Sequence, residues 1–408
     1  MILVYLFFAI AYFRKSKKGL CKVAQQNITI LLIIAIIGMV AYEIYVEYAV
    51  GWQYGIPQDD DAGWIFRAST AIKEGVSWDR LFLLAHNADW NDSRVLSFST
   101  LGQYVYATFV ATALYLPTVL HIKVNLYLLY IFQILLVSSA IIECTFALEM
   151  ECTDVYGVRR PSKSGFFFLM FFYPVVLFNT YKILREAFFV FFSLKTFLAF
   201  VQARKGYGSF RKLIFYSICL VLIRPNSIIL VFSLVVWSCF GERIAFTSGL
   251  VLSALLLAGT FIISKATEIL GWGYGFGTVQ FNELIHLLLF PSPISQAKNL
   301  LQIGENPSWV TVLYFAQSIW NIPILCVCIW GILHSFKQKK NLVWAIIWQN
   351  SLMIYSLAYP VENMTPRYKL IYLIPQMVFL YIGMIRIKNT FSLQKGYPKG
   401  EQYKIPID

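Results

Sequence analysis

A succession of long apolar runs, separated by short polar or basic segments, constrains this chain more than any other feature. The runs lie at 1–13, 27–50, 100–120, 124–148, 164–180, 187–203, 213–223, 226–240, 246–264, 311–333, 342–359 and 369–385. A helix that crosses a bilayer needs about 20 apolar residues. Only 13% of the residues are charged, and soluble domains carry about 25%. This composition excludes a soluble enzyme and a disordered chain, so we predict an all-α polytopic membrane protein.

The basic residues predict how the runs are oriented, because Lys and Arg collect in cytoplasmic loops. Basic clusters follow the apolar runs at Arg14–Lys22, Arg159–Lys163, Arg204–Lys212, Lys337–Lys340 and after Arg386. If 27–50 runs outward and both 100–120 and 124–148 cross the membrane, Arg159 and Arg160 fall on the outer side, against this rule. Every cluster becomes cytoplasmic if 100–120 is instead an outer juxtamembrane helix.

The predicted architecture has about 11 transmembrane helices plus that juxtamembrane helix. Residues 1–385 form a single transmembrane domain with long outer loops at 51–98 and 265–310, and 386–408 form a basic cytoplasmic tail. The net charge of +13 lies largely in the cytoplasmic clusters, so it does not indicate nucleic acid, and we expect the lipid bilayer as a partner of the protein.

The first outer loop carries three consecutive acids, Asp59, Asp60 and Asp61, followed by apolar residues at helical spacing up to Gly75. One acid would suffice to cap the helix start. Three carboxylates at a membrane surface could also activate an acceptor hydroxyl as a general base. Asp59 and Asp61 could in addition hold a divalent cation, Mg²⁺ or Mn²⁺, although the sequence requires no cofactor.

The first outer loop and the other outer segments also contribute arginines and one more acid. These candidate residues are Arg67 on the helix after the acids, Arg185 and Glu186, Arg224 beside a helix-breaking proline, and Arg367 with Tyr368. Each has a simpler explanation as an interfacial anchor or a helix break. Arg224 favours a function, because a cation inside an apolar run is costly without a partner or a polar cavity.

A single topology brings all of these segments to the outer face, which predicts one site. Acids there would handle a hydroxyl nucleophile, and arginines would hold an anion, since the guanidinium fork suits paired phosphate oxygens. An anion at the lipid boundary indicates a lipid phosphate or pyrophosphate.

The motifs resemble those of the GT-C superfamily of membrane glycosyltransferases, over roughly residues 50–380. QDDDAGWIFRASTAIKEG is similar to the acidic first loop of that family, and LREAF, LIRPNS and PRYKLIYLIP look like its later motifs. The resemblance implies that Asp59 to Asp61, with Glu186, are catalytic or metal-binding. It also implies that Arg224 and Arg367 hold the phosphate of a polyprenyl-phosphate-linked sugar, which is transferred to a glycan or lipid acceptor.

Two alternatives stay open. The run 1–13, the GWQYGIPQDDD segment and the high aromatic content also resemble O-antigen and exopolysaccharide polymerases, which join repeat units on a polyprenyl pyrophosphate. A lipid-linked sugar transporter or flippase would place charges near the bilayer midplane, where Glu143 and Lys195 are the candidates. In each case we expect a bacterial inner membrane, and the two enzyme hypotheses place the active site on the periplasmic or exterior face.

Overall fold

The computed structural model describes residues 2–51, 61–76, 101–119, 126–156, 161–181, 184–206, 208–224, 309–337 and 373–394, and the single positions 227, 231, 234 and 370. This part of the chain is helical and contains no strand. In chain order its helices are α1 (Ile2–Lys17), α2 (Lys22–Val50), α3 (Asp61–Lys73), α4 (Leu101–Val119), α5 (Tyr127–Tyr156), α6 (Lys163–Phe171), α7 (Pro174–Tyr181), α8 (Glu186–Arg204), α9 (Phe210–Ile223), α10 (Trp309–Lys337) and α11 (Leu373–Gln394).

Three of these helices are long and apolar enough to cross a membrane: Lys22–Tyr45, Tyr127–Met150 and Glu186–Arg204. They coincide with three of the predicted runs, which confirms the class of helical membrane protein. The total of about 11 spans stays a prediction, because the runs 246–264 and 342–359 lie outside the described residues. Helix α4 is not among the three candidate spans.

Two helix boundaries follow directly from local sequence. Helix α3 begins at Asp61, and the chain leaves it at Gly75 with φ of 87°, a left-handed conformation that suits glycine, as the sequence predicted. The predicted single run 164–180 is instead two helices, because Pro174 cannot donate the backbone hydrogen bond that would continue α6. Beyond the last run, α11 continues to Gln394, into the segment predicted as a tail.

The chain forms two compact units, Met1–Cys144 with Met170–Phe232, and Thr145–Leu169 with Ser233–Asp408. In the first unit α5 and α8 run in the same direction. The rings of Phe132 and Phe188 are 6.3 Å apart near the start of both helices. Further along both, Glu143 Oε2 is 2.6 Å from Lys195 Nζ.

Two other helices of the first unit run the opposite way. Arg224, which follows α9, lies over the ring of Phe189 near the start of α8, and Tyr216 lies beside Lys195 further along α8, so α9 is antiparallel to α8. Helix α2 returns from α1 through a short connection. Its end meets the start of α5, where the Tyr127 hydroxyl donates to Glu47 Oε2 at 2.9 Å.

The first unit therefore has two chemically different ends. At one end, which we call the acidic end, α2 and α9 finish and α5 and α8 begin; it contains Glu43, Glu47 and Glu186. At the other, the basic end, the connections Arg14–Lys22 and Arg204–Lys212 join α1 to α2 and α8 to α9. The helix directions alone separate these two sets of charges.

In the second unit α10 and α11 cross in backbone contact. A Cβ atom at Gly331 would lie 2.1 Å from the Phe379 carbonyl oxygen, and one at Gly383 would lie 2.1 Å from that of Val327. Glycine permits this approach, which is a common way for membrane helices to pack.

Candidate functional site

The start of α8 buries a carboxylate. Glu186 is in the first turn and only 4% exposed, and its Oε2 atom has no hydrogen-bond partner among the described residues. The positive end of the helix dipole favours a negative charge at this position. Desolvating a carboxylate oxygen without a hydrogen bond nevertheless costs several kcal/mol, so this atom is available to a ligand.

Arg185 and the end of α9 meet at a glycine of α4. A Cβ atom on Gly102 would lie 1.7 Å from the carbonyl oxygen of Ile223 and 3.0 Å from Arg185 Nη1. Only glycine allows this approach of α4 to the last turn of α9. The close packing therefore positions the Arg185 guanidinium beside the C-terminus of α9.

Arg224 joins the same region. It ends α9 in an extended conformation, with φ of −144° and ψ of 94°, and its Cζ atom lies 5.1 Å from the centre of the Phe189 ring. This cation–π contact holds the guanidinium over the first turn of α8, where Glu186 also lies. The structure thus brings together three residues that the sequence singled out, Arg185, Glu186 and Arg224.

Tyr106 of α4 connects this cluster to α5. The amide of Gln133 donates a hydrogen bond to the Tyr106 hydroxyl, and the Tyr106 ring lies 5.5 Å from that of Phe188. Burial raises the pKa of the Tyr106 phenol well above its ordinary value, the Gln133 hydrogen bond opposes this shift, and the Glu186 carboxylate adds to it. Tyr106 therefore stays a neutral hydroxyl beside the acid.

Sequence reasoning missed two acids of the acidic end, Glu43 and Glu47. They lie one turn apart near the end of α2; Glu43 is 2% exposed, and Glu47 accepts the Tyr127 hydroxyl. Both belong to the run 27–50, which was identified by its average apolar character, so its two acids were not considered. Acids four residues apart on one helix face were the available signal.

The remaining predicted residues are placed less completely. Asp61 is the first residue of α3, and Arg67 is exposed on the same helix, which packs against α4. Asp59, Asp60, Arg367 and Tyr368 lie outside the described residues, as does the predicted loop 265–310 up to residue 308, since α10 already begins at Trp309. The described residues contain no group of three or more His, Cys, Asp or Glu that could hold a metal ion. The cation predicted at Asp59 and Asp61 therefore stays a prediction.

Glu143 and Lys195, the candidates for transport, are paired with each other. Glu143 Oε2 accepts from Lys195 Nζ at 2.6 Å and from the Tyr12 hydroxyl at 2.8 Å. Lys195 Nζ also donates to the Tyr12 oxygen at 3.0 Å. These three side chains tie α1, α5 and α8 into one hydrogen-bonded network.

No known protein family, curated protein or solved structure matches this chain. The cluster of Arg185, Glu186 and Arg224 at the acidic end is therefore the basis for the proposed function.

Proposed function

We propose that this protein is a membrane glycosyltransferase that moves a sugar from a polyprenyl-phosphate-linked donor to an acceptor hydroxyl at the acidic end. The observation that carries this proposal is the buried carboxylate of Glu186, whose Oε2 atom has no hydrogen-bond partner among the described residues, beside Arg185 and Arg224. A buried acid beside two guanidinium groups is suited to a substrate that has both a hydroxyl and an anionic group.

Each part of the cluster has a task in such a reaction. Glu186 would accept the proton of the acceptor hydroxyl while the acceptor oxygen forms its bond to the anomeric carbon of the sugar. Arg185 and Arg224 would bind the phosphate oxygens and stabilise the charge that the leaving phosphate gains when its bond to that carbon breaks. Asp61 begins α3 and Asp59 and Asp60 come directly before it in the sequence; these three acids are the alternative base, as the family resemblance implies.

The direction of the helices supports an outward-facing site. The contact between Glu47 and Tyr127 joins the end of α2 to the start of α5. The intervening segment, with α3 and α4, therefore returns to the end from which it departs. This favours α4 as a juxtamembrane helix. The positive-inside rule assigns the basic end to the cytoplasm, so the acidic end would face the periplasm or exterior.

The test is a strain that lacks the gene, complemented with wild type, Glu186→Gln or Asp60→Asn. The surface polysaccharide and the polyprenyl-linked intermediates would be analysed by mass spectrometry. We expect Glu186→Gln to abolish transfer and to leave lipid-linked intermediates that lack one sugar. Glu74→Gln, an exposed acid after α3, is the matched control and should behave as wild type. Normal glycans in a well-expressed Glu186→Gln strain would contradict the role of Glu186.

The second candidate function is a repeat-unit polymerase that uses polyprenyl pyrophosphate. The two neighbouring arginines favour it, because a pyrophosphate presents two anionic groups. The same experiment separates the two enzymes: a polymerase mutant would accumulate complete single repeat units without long chains.

A transporter is supported less well by the geometry. Its sequence evidence was the pair of charges at Glu143 and Lys195, and these two groups bind each other and Tyr12. Unchanged pools of both polysaccharide and lipid-linked intermediates in the deletion strain would instead support a transporter.

A further inference from the structure

The basic end of the first unit is a concentrated, one-signed surface. Neither Arg14–Lys22 nor Arg204–Lys212 contains an acidic residue. Exposed cations line both connections: Arg14, Lys15, Lys18, Lys22, Arg211 and Lys212. An anionic partner would therefore meet attraction and no repulsion from either segment.

The two connections lie side by side because one network fixes the helices beneath them. The Lys195 ammonium lies 5.3 Å from the ring centres of both Tyr12 and Tyr216. Lys17 and Lys212 are each within about 8 Å of those tyrosines along their own helix axes. The two groups of cations therefore adjoin and act on one small area.

Cations lie close to one another within the first connection. Burial and the neighbouring charge of Arg14 lower the pKa of Lys17, which donates to Thr29 Oγ1 at 2.8 Å. The cations are thus held together by the fold and not by bound acids of this segment. A ligand that supplies phosphate oxygens would relieve the repulsion.

Apolar side chains adjoin the cations on the membrane side. Val23 follows Lys22 in α2, and Ile214 and Phe215 follow Arg211 and Lys212 in α9; all three apolar side chains are exposed. A partner for this surface must therefore present anionic groups to the cations and hydrocarbon to the apolar side chains, which lie nearer the membrane interior. A phospholipid has this arrangement, whereas a soluble acidic protein does not.

We propose that the basic end of the first unit binds the headgroups of anionic phospholipids in the leaflet that it faces. The cations of the two connections contact the phosphates, and Val23, Ile214 and Phe215 lie against the glycerol and upper acyl region. This surface is independent of the proposed glycosyl transfer, because it is at the opposite end of the helices.

The test compares the purified full-length protein in nanodiscs of phosphatidylcholine alone and of phosphatidylcholine with phosphatidylglycerol. Native mass spectrometry of the protein released from mixed nanodiscs would measure the ratio of the two lipids retained. We expect enrichment of phosphatidylglycerol in the wild type, decreasing as salt screens the charges.

The test variant is Lys22→Gln with Arg211→Gln. Each residue lies in the first turn of a helix, where a cation opposes the helix dipole, so the substitutions should not impair folding. Each cation near an anionic surface contributes about a fivefold preference for anionic over neutral lipid. The enrichment of phosphatidylglycerol in the double variant should therefore be about 25-fold lower than in the wild type.

The matched control is Arg386→Gln with Lys388→Gln, which removes the same charge from α11. This control should keep more of the enrichment than the test variant, because its two cations lie on one helix and not on the two adjoining connections. Equal enrichment in the test variant and wild type would overturn the proposal. An equal loss of enrichment in the control would also overturn it, because the lipid would then respond to the overall positive charge of the protein and not to this surface. So would the absence of phosphatidylglycerol enrichment in the wild type.

Discussion

Glu143 and Glu186 belong to the same unit and illustrate two different uses of a carboxylate in a membrane protein. Glu143 accepts hydrogen bonds from both Lys195 and Tyr12. Glu186 is more deeply buried, yet its Oε2 atom has no hydrogen-bond partner in the described part of the chain. The first acid stabilises the helices that it joins, whereas the second costs stability, which is typical of a group kept for a reaction.

The largest expected effect comes from breaking the satisfied pair. Lys195→Met leaves the Glu143 charge uncompensated, and removing one partner of a buried pair costs about 3–5 kcal/mol. Thermal unfolding in detergent measures this loss. The double variant Glu143→Gln with Lys195→Met removes both charges and should regain more than half of it. Equal melting temperatures for the single and double variants would show that the ion pair contributes little.

A smaller loss is expected where α4 approaches α9. Gly102→Ala forces a Cβ atom into the Ile223 carbonyl, and overpacking of this kind costs about 1–3 kcal/mol. It should also displace Arg185 and reduce transfer. Gly38→Ala is the control, because a Cβ atom there meets nothing within 4 Å, and alanine stabilises a helix interior by about 1 kcal/mol. Unfolding curves that shift equally in both variants would contradict the close packing.

The smallest expected effect concerns Glu186 itself. Glu186→Gln relieves the desolvation of an oxygen that has no hydrogen bond among the described residues, but it also removes a negative charge from the start of α8 and from beside Arg185 and Arg224. These two effects oppose each other, so stability should change by less than about 1 kcal/mol while transfer is lost, and chemical denaturation measures the change. A larger decrease in stability would mean that Glu186 is a structural acid.

The class of fold follows from local sequence, because apolar length and the positions of glycine and proline act within one helix. The spans at 27–50, 124–148 and 187–203 and the helix that ends at Gly75 were predicted in this way. The same reasoning identified Arg185, Glu186 and Arg224 as separate candidates. It did not predict that α6 and α7 are separate helices, although Pro174 was visible.

The missing parts of the site are long-range contacts. Nothing near Gly102 or Tyr106 in the sequence indicates that they meet Ile223, Arg185 and Gln133. Glu43 and Glu47 were overlooked because an average over an apolar run conceals two charges. Charge spacing within a helix is local information, and helix-to-helix contact is not.

The crossing of α10 and α11 has a consequence for how this sequence can change. The two glycines fit only in one register, since each faces the carbonyl of a bulky residue, Phe379 or Val327. A single inserted residue in α11 ahead of Gly383 would rotate the helix face by about 100° and present a larger side chain to Val327. Insertions and deletions within these two helices should therefore be rarer than substitutions on their lipid-facing sides.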